Sequence, residues 1–176
     1  MSSRFLSTGP VPPLGQDYPL GEAVISGDGA YRYVLNRRWN GTDPVLCWIM
    51  LNPSTADADT DDPTIYRCSY RARTWGYGGI CVLNLFALRA ASPAELWTHP
   101  DPVGPENDQW LAGARDGSDI AVAWGVNGTL RGRDREVLDL LAGGPGRLLC
   151  LSRTRGGYPR HPLYVPYDQG LVPLAG

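Results

Sequence analysis

Four short apolar runs limit what this chain can become: residues 45–51 (VLCWIML), 80–85 (ICVLNL), 119–124 (DIAVAW) and 147–152 (RLLCLS). A strand with one wet face alternates polar and apolar side chains. These runs do not alternate, so both faces must be covered, the pattern of strands sandwiched between helices. The intervening segments supply the helices. Residues 63–75 follow Asp62 as N-cap with Pro63 at the first helical position, and Ser92-Pro93-Ala94-Glu95 carries a serine cap with a capping-box glutamate. Residues 105–114 read as a third helix. A fourth, over about 130–141, turns Val137, Leu138, Leu140 and Leu141 toward a core. The alternation predicts an α/β fold with a parallel or mixed sheet covered on both faces. Residues 31–39 are also strand-like and are joined to 45–51 by Asn40-Gly41-Thr42-Asp43-Pro44, so an antiparallel pair at an N-terminal edge is expected.

A chain of 176 residues fits one domain. Residues 1–20, rich in Pro, Gly and Ser, read as an irregular arm, and residues 21–176 as a single domain without internal repeats. No apolar run approaches the ~20 residues of a membrane span, and the amino terminus lacks the h-region of a secretory signal. The expectation is a cytoplasmic protein without a membrane partner. Cys47, Cys68, Cys81 and Cys150 show no C-x-x-C pairing, and three lie within the strand-like runs, which predicts reduced core thiols. With only His99 and His161 to supply nitrogen, no metal or other cofactor is implied.

In sheets of this kind ligands bind beyond the carboxyl ends of the strands. That rule selects Asn52-Pro53-Ser54-Thr55-Ala56-Asp57, Asn84-Leu85-Phe86-Ala87-Leu88-Arg89, Trp124-Gly125-Val126-Asn127-Gly128 and Pro159-Arg160-His161-Pro162-Leu163-Tyr164. Each segment alone has a bland explanation. Asn-Pro makes turns, Asn84 could cap a helix, Trp-Gly ends a strand, and a histidine before proline is commonly a surface residue.

Their order is more specific. A strand ending in Asn-Pro, one ending in Asn, one ending in Trp-Gly and a late His-Pro together resemble the successive motifs of the uracil-DNA glycosylase superfamily, over roughly residues 45–165. The resemblance implies a three-layer fold around a central, mainly parallel four-stranded sheet. It also implies that Asn52 positions the attacking water, Asn84 reads the base, and His161 faces the base oxygen. There are two departures. Asn52 stands where several branches carry a carboxylate, as in the mismatch-specific branch, and the last motif reads His-Pro-Leu-Tyr instead of His-Pro-Ser. Through MLNPSTAD, DDPTI, NLFALR, AWG and RHPLY the whole chain also resembles a bacterial and phage family known only as a domain of unknown function, family 1643.

The chemistry of these residues is consistent with base excision. An enzyme acting on a base must extrude it, stack it and read its edge. Asn84 can both donate and accept, Tyr66 and Phe86 are stacking candidates, and Pro53 and Ser54 would lie beside the base. A histidine N–H would stabilise the departing base anion. Asn52 cannot ionise but can orient water, so Asn52→Asp would restore a carboxylate. One of Asp57, Asp59, Asp61 and Asp62 could assist as a base or ligate a cation, Asp57 foremost; the plainer reading makes Asp62 a helix cap and the others, Asp59 and Asp61 above all, solvated loop charges.

The partner implied is DNA, single- or double-stranded, carrying a modified base; no obligate protein partner is evident. The net charge is −2, so any contact with phosphates must be local. From Leu140 to Tyr167 the chain carries Arg147, Arg153, Arg155 and Arg160 with no acidic residue. Arg153, Arg155, Tyr158, Arg160, Leu163 and Tyr164 are the candidate DNA contacts, on a glycine-containing loop expected to be flexible enough to enter a groove. All 16 basic residues are arginine. Without a lysine amine to form a Schiff base, an N-glycosylase built this way would be monofunctional. The alternatives are a non-catalytic nucleobase- or nucleotide-binding module and an N-glycosidase acting on free nucleosides or nucleotides.

Overall fold

The computed structural model describes residues 22–174 apart from Thr55, Ala58 and Asp116; the N-terminal arm expected at 1–20 lies outside the described residues. The elements in chain order are β1 (Ala23–Ile25), β2 (Arg32–Arg38), β3 (Val45–Met50), α1 (Pro63–Thr74), β4 (Gly79–Asn84), α2 (Ala94–Thr98), α3 (Asn107–Ala114), β5 (Ile120–Val122), α4 (Arg133–Leu141), β6 (Leu148–Cys150) and β7 (Val172–Pro173). Short 3-10 turns occupy Val126–Gly132 and Pro162–Tyr164.

The four apolar runs become β3, β4, β5 and β6. They lie side by side in the order β4-β3-β5-β6, and all three pairings among them are parallel. Among the described residues, however, the sheet has seven strands in place of the four expected. β2 and β1 extend it antiparallel at one side, and β7 does so at the other. β1 and β7 are three and two residues long, and β7 ends in proline, so neither is long enough to show a two-residue period.

The expected antiparallel pairing of β2 with β3 does not form. β2 pairs with β4, through Leu35 opposite Val82, and β4 lies between β2 and β3. The connection at 40–44 crosses the start of β4, where Gly78 accepts from the Trp39 and Asn40 N–H groups at 3.0 Å and donates to Pro44 O at 2.8 Å. A Cβ at Gly78 would lie 2.5 Å from Asn40 O, so only glycine lets the crossing strand pass this close. Pairing explains the preference. Every residue of β3 is buried, and its backbone is paired on both sides by the parallel strands β4 and β5, which leaves no side for β2.

Alternate residues on the parallel strands feed two cores. Cys47, Ile49, Leu83, Ile120 and Val122 pack with Leu96 of α2, Trp110 and Leu111 of α3, and Val137 and Leu141 of α4. Leu46, Trp48, Val82 and Ala121 pack with Ile65, Cys68 and Ala72 of α1 on the other face. Truncating a residue such as Ile49, fully buried, to alanine should cost about 2–5 kcal/mol. All four cysteines are buried free thiols. Cys81 lies opposite Cys47 in register, and the hydrogen bond between them together with burial pushes its thiol pKa up, which makes it a poor nucleophile. Among the described residues no helix is long and apolar enough to cross a membrane.

Candidate functional site

The chain leaves β3 through α1 to reach β4 on one side, and later places β5 on the other side of β3. The loops therefore diverge at the carboxyl ends of β3, β4 and β5 and open a crevice at the reversal of strand order. A cavity of about 550 Å³ occupies it, lined among others by Asn52, Asn84, Trp124, Gly125 and His161. This volume lies within the ~300–1,000 Å³ of small-molecule sites.

Asn84, the last residue of β4, is 1% exposed. Its backbone is tightly held: Asn107 Nδ2 donates to the carbonyls of Asn84 and Leu85, each at 3.0 Å, and Arg133 Nε donates to Leu85 O at 2.9 Å. Arg133 is braced in turn by Asp108 and Glu136. The Asn84 side chain is the reverse case, because neither its Nδ2 nor its Oδ1 has a hydrogen-bond partner. A buried amide left unmatched costs about 1–3 kcal/mol, and this one belongs to a residue that lines the cavity.

Asn52, beyond β3, donates through Nδ2 to Pro53 O and Ala90 O, both at 3.0 Å. Its two amide hydrogens are thereby engaged, which leaves Oδ1 as the group it offers the cavity. Gly125 has φ 71°, and its N–H reaches Pro159 O at 2.8 Å, tying the end of β5 to the segment before His161. A Cβ at Gly128 would collide with the Trp124 ring, so this glycine lets the 3-10 turn press the indole against the cavity wall.

His161 caps the turn Pro162–Tyr164: its Nδ1 accepts the N–H of Leu163 at 3.3 Å. The neutral ring must then carry its proton on Nε2. Burial pushes the pKa of His161 below its ordinary value, with the charge of Asp62 opposing. The histidine is thus a neutral N–H donor near physiological pH. Its segment is anchored to α1 by Arg71, 1% exposed, whose Nη2 donates to Val165 O and Pro166 O at 2.7 Å and whose Nη1 donates to Gln169 O at 2.9 Å.

Two further charged residues line the cavity: Asp62, one of the four aspartates that could act as a base, and Arg32, which the sequence pattern did not single out. Asp62 accepts from Ile65 N at 2.9 Å as the expected helix cap, accepts from Ser54 Oγ at 2.6 Å, and lines the cavity as well. Arg32, the first residue of β2, is 2% exposed and also lines it. The only signal for Arg32 was an arginine placed directly before the apolar stretch Tyr33-Val34-Leu35.

The other candidates divide. Ser54, Arg160, Leu163 and Tyr164 line the cavity, Tyr164 being 75% exposed at its rim with its ring 5.9 Å from that of His161. Asp57 does not line it. Its carboxylate accepts from Asp59 N and Thr60 N in a local turn, and these bonds lower its pKa. Phe86 is wholly buried in the core, Tyr66 is 60% exposed on α1, and Pro53 is buried with its carbonyl bonded to Ala90 N; the aromatic rings lining the cavity are Trp124 and Tyr164. Arg147 sits before β6, at the opposite end of the sheet, paired with Asp119 at 2.6 Å. Arg155 is exposed at the tip of a turn that closes on itself, with Thr154 N to Tyr158 O and Gly157 N to Thr154 O both at 2.9 Å. Arg153 is bridged to Pro159, and Tyr158 packs over Gly156, so the loop folds back on itself as a closed turn.

Residues 32–163 match the family described as Protein of unknown function (DUF1643). The chain belongs to that family. The match begins at Arg32 and ends at Leu163, both of which line the cavity, so the family's shared segment contains nearly the whole site. No curated protein and no solved structure matches the chain.

Proposed function

We propose that this cavity receives a nucleobase extruded from DNA and that the protein hydrolyses its N-glycosidic bond. The observation that carries this reading is the Asn84 amide: buried, held by its backbone, and with both donor and acceptor unfilled at the cavity. An adjacent donor and acceptor is what the hydrogen-bonding edge of a base requires. Breaking the bond leaves negative charge on the base and positive charge on the sugar. The Nε2–H of His161 donates to the base oxygen as that charge develops. Asn52 Oδ1 orients the water that adds to the anomeric carbon, and the Asp62 carboxylate accepts its proton or stabilises the sugar cation. Trp124 or Tyr164 supplies the stacking surface in place of Tyr66 and Phe86. Arg160, at the cavity, and Arg155, on the nearby turn, face the phosphates.

A panel of base-modified single- and double-stranded oligonucleotides, assayed for released base and for abasic sites, tests this. Base release that falls about 10²–10³-fold in His161→Ala, with the fold intact, is the expected result. Binding without release by any substrate would leave a nucleobase-binding module instead. Release from free nucleosides but not from DNA would make the protein a nucleosidase.

A further inference from the structure

The described residues contain three arginines that are almost wholly buried, and they are satisfied very differently. Arg133 is met by the carboxylates of Asp108 and Glu136 and by Leu85 O. Arg71 is met by the backbone carbonyls of Val165, Pro166, Tyr167 and Gln169. Among the described residues Arg32 has one partner for its five N–H donors: Nη1 donates to Ala56 O, and Nε, like that of Arg71, has no partner. The opposing charge with the largest effect on it, Asp62, makes no ion pair with it among the described residues and spends its oxygens on Ile65 N and Ser54 Oγ.

Position explains how a cation comes to be there. β2 runs antiparallel to β4, so its beginning lies at the edge where the parallel strands end, and the Arg32 N–H is fixed to Ala87 O at 2.9 Å. The guanidinium is thus delivered to the cavity by the strand and not by a mobile loop. Burial lowers its pKa only to about 10, so it stays charged at neutral pH. An under-bonded buried charge is unfavourable in the empty protein and becomes favourable when an anion completes it.

Resting on the reading of this cavity as a nucleobase site, we infer that its ligand carries an anionic oxygen group that docks on Arg32. The planar fork of a guanidinium suits the paired oxygens of a carboxylate or phosphate. Two sources offer that chemistry: an acidic substituent on the base ring, or the phosphate of a free nucleotide.

Calorimetric binding of two matched pairs tests the inference: uracil against uracil-5-carboxylate, and thymidine against thymidine 5′-monophosphate. The charged member of at least one pair should bind roughly tenfold tighter or more, and the pair that shows the gap identifies the source. Arg32→Met should close the gap between the charged and neutral members of the pair and keep or raise the melting temperature, since it removes an unmatched charge. Arg32→Lys, which retains charge without the fork, should narrow the gap and serves if the methionine variant does not fold. The inference is overturned if neither charged ligand outbinds its neutral counterpart, or if the gap survives in Arg32→Met. Base release is measured separately. A charge preference without release sinks only the glycosylase reading, and release from neutral bases without a preference sinks only this one.

Discussion

Asn107 Nδ2 holds the carbonyl oxygen of Asn84 at 3.0 Å, while the Asn84 side chain beside it makes no hydrogen bond. One asparagine is thus spent on rigidity so that the other can be left open. Replacing Asn84 with leucine, similar in size but apolar, should therefore leave the melting temperature unchanged or raise it, because the unmatched amide costs about 1–3 kcal/mol. The same variant should lose discrimination among bases. A clear fall in melting temperature would show that the amide is satisfied in solution.

Asn107→Ala should behave oppositely. It removes donors to two buried carbonyls, of Asn84 and Leu85, and should destabilise the fold by about 2–4 kcal/mol. Denaturant titration measures this directly.

Asn52→Asp is not the simple gain of a carboxylate that the sequence suggests. The Asn52 amide donates to Pro53 O and Ala90 O, so an aspartate would set its charge against two carbonyl oxygens. We expect a loss of about 2–4 kcal/mol and a raised carboxyl pKa, visible as a melting temperature that falls further as pH rises from 4 to 8.

Asp62→Asn separates charge from capping. Asparagine caps helices as well as aspartate does, so stability should change by less than about 1 kcal/mol. Base release should fall by about 10²-fold if the carboxylate handles the proton of water. An unchanged rate, measured under single turnover, would leave Asp62 only its cap.

His161 sets a pH dependence of stability. Burial holds its folded pKa below the ordinary 6.5, so as pH falls the unfolded chain takes up the proton first. Its contribution is complete above pH 6.5 and declines as pH falls from there through the folded pKa. Protonation of Nδ1 also removes the acceptor for the Leu163 N–H. Melting curves across this range should slope in the wild type and flatten in His161→Gln. Asp119 acts in a more acidic window. Hydrogen bonds from Arg147 hold its pKa at about 2, so its contribution is present above 3.8 and is lost as pH falls toward 2.

The order of residues alone was enough to specify the parallel centre of the sheet and the edge at which the cavity opens. Runs such as VLCWIML admit no wet face, and the residues following such runs must gather where the strands end; Asn52, Asn84 and His161 meet there for that reason. Local chemistry was equally legible in the Asp62 cap and Pro63 start of α1. Tertiary structure decided what depends on distant partners. β2 pairs with β4 and not with its neighbour in sequence because Gly78 lets the chain cross, and that pairing carries Arg32 to the cavity. Phe86 follows one apolar run and Trp124 ends another; both pack in the same core, yet only Trp124, pressed by Gly128, also lines the site. Whether a polar group is spent or spare is a property of its surroundings: the sequence shows Asn52, Asn84 and Asn107 as the same residue, and only the fold gives partners to Nδ2 of Asn52 and Asn107 and leaves that of Asn84 without one.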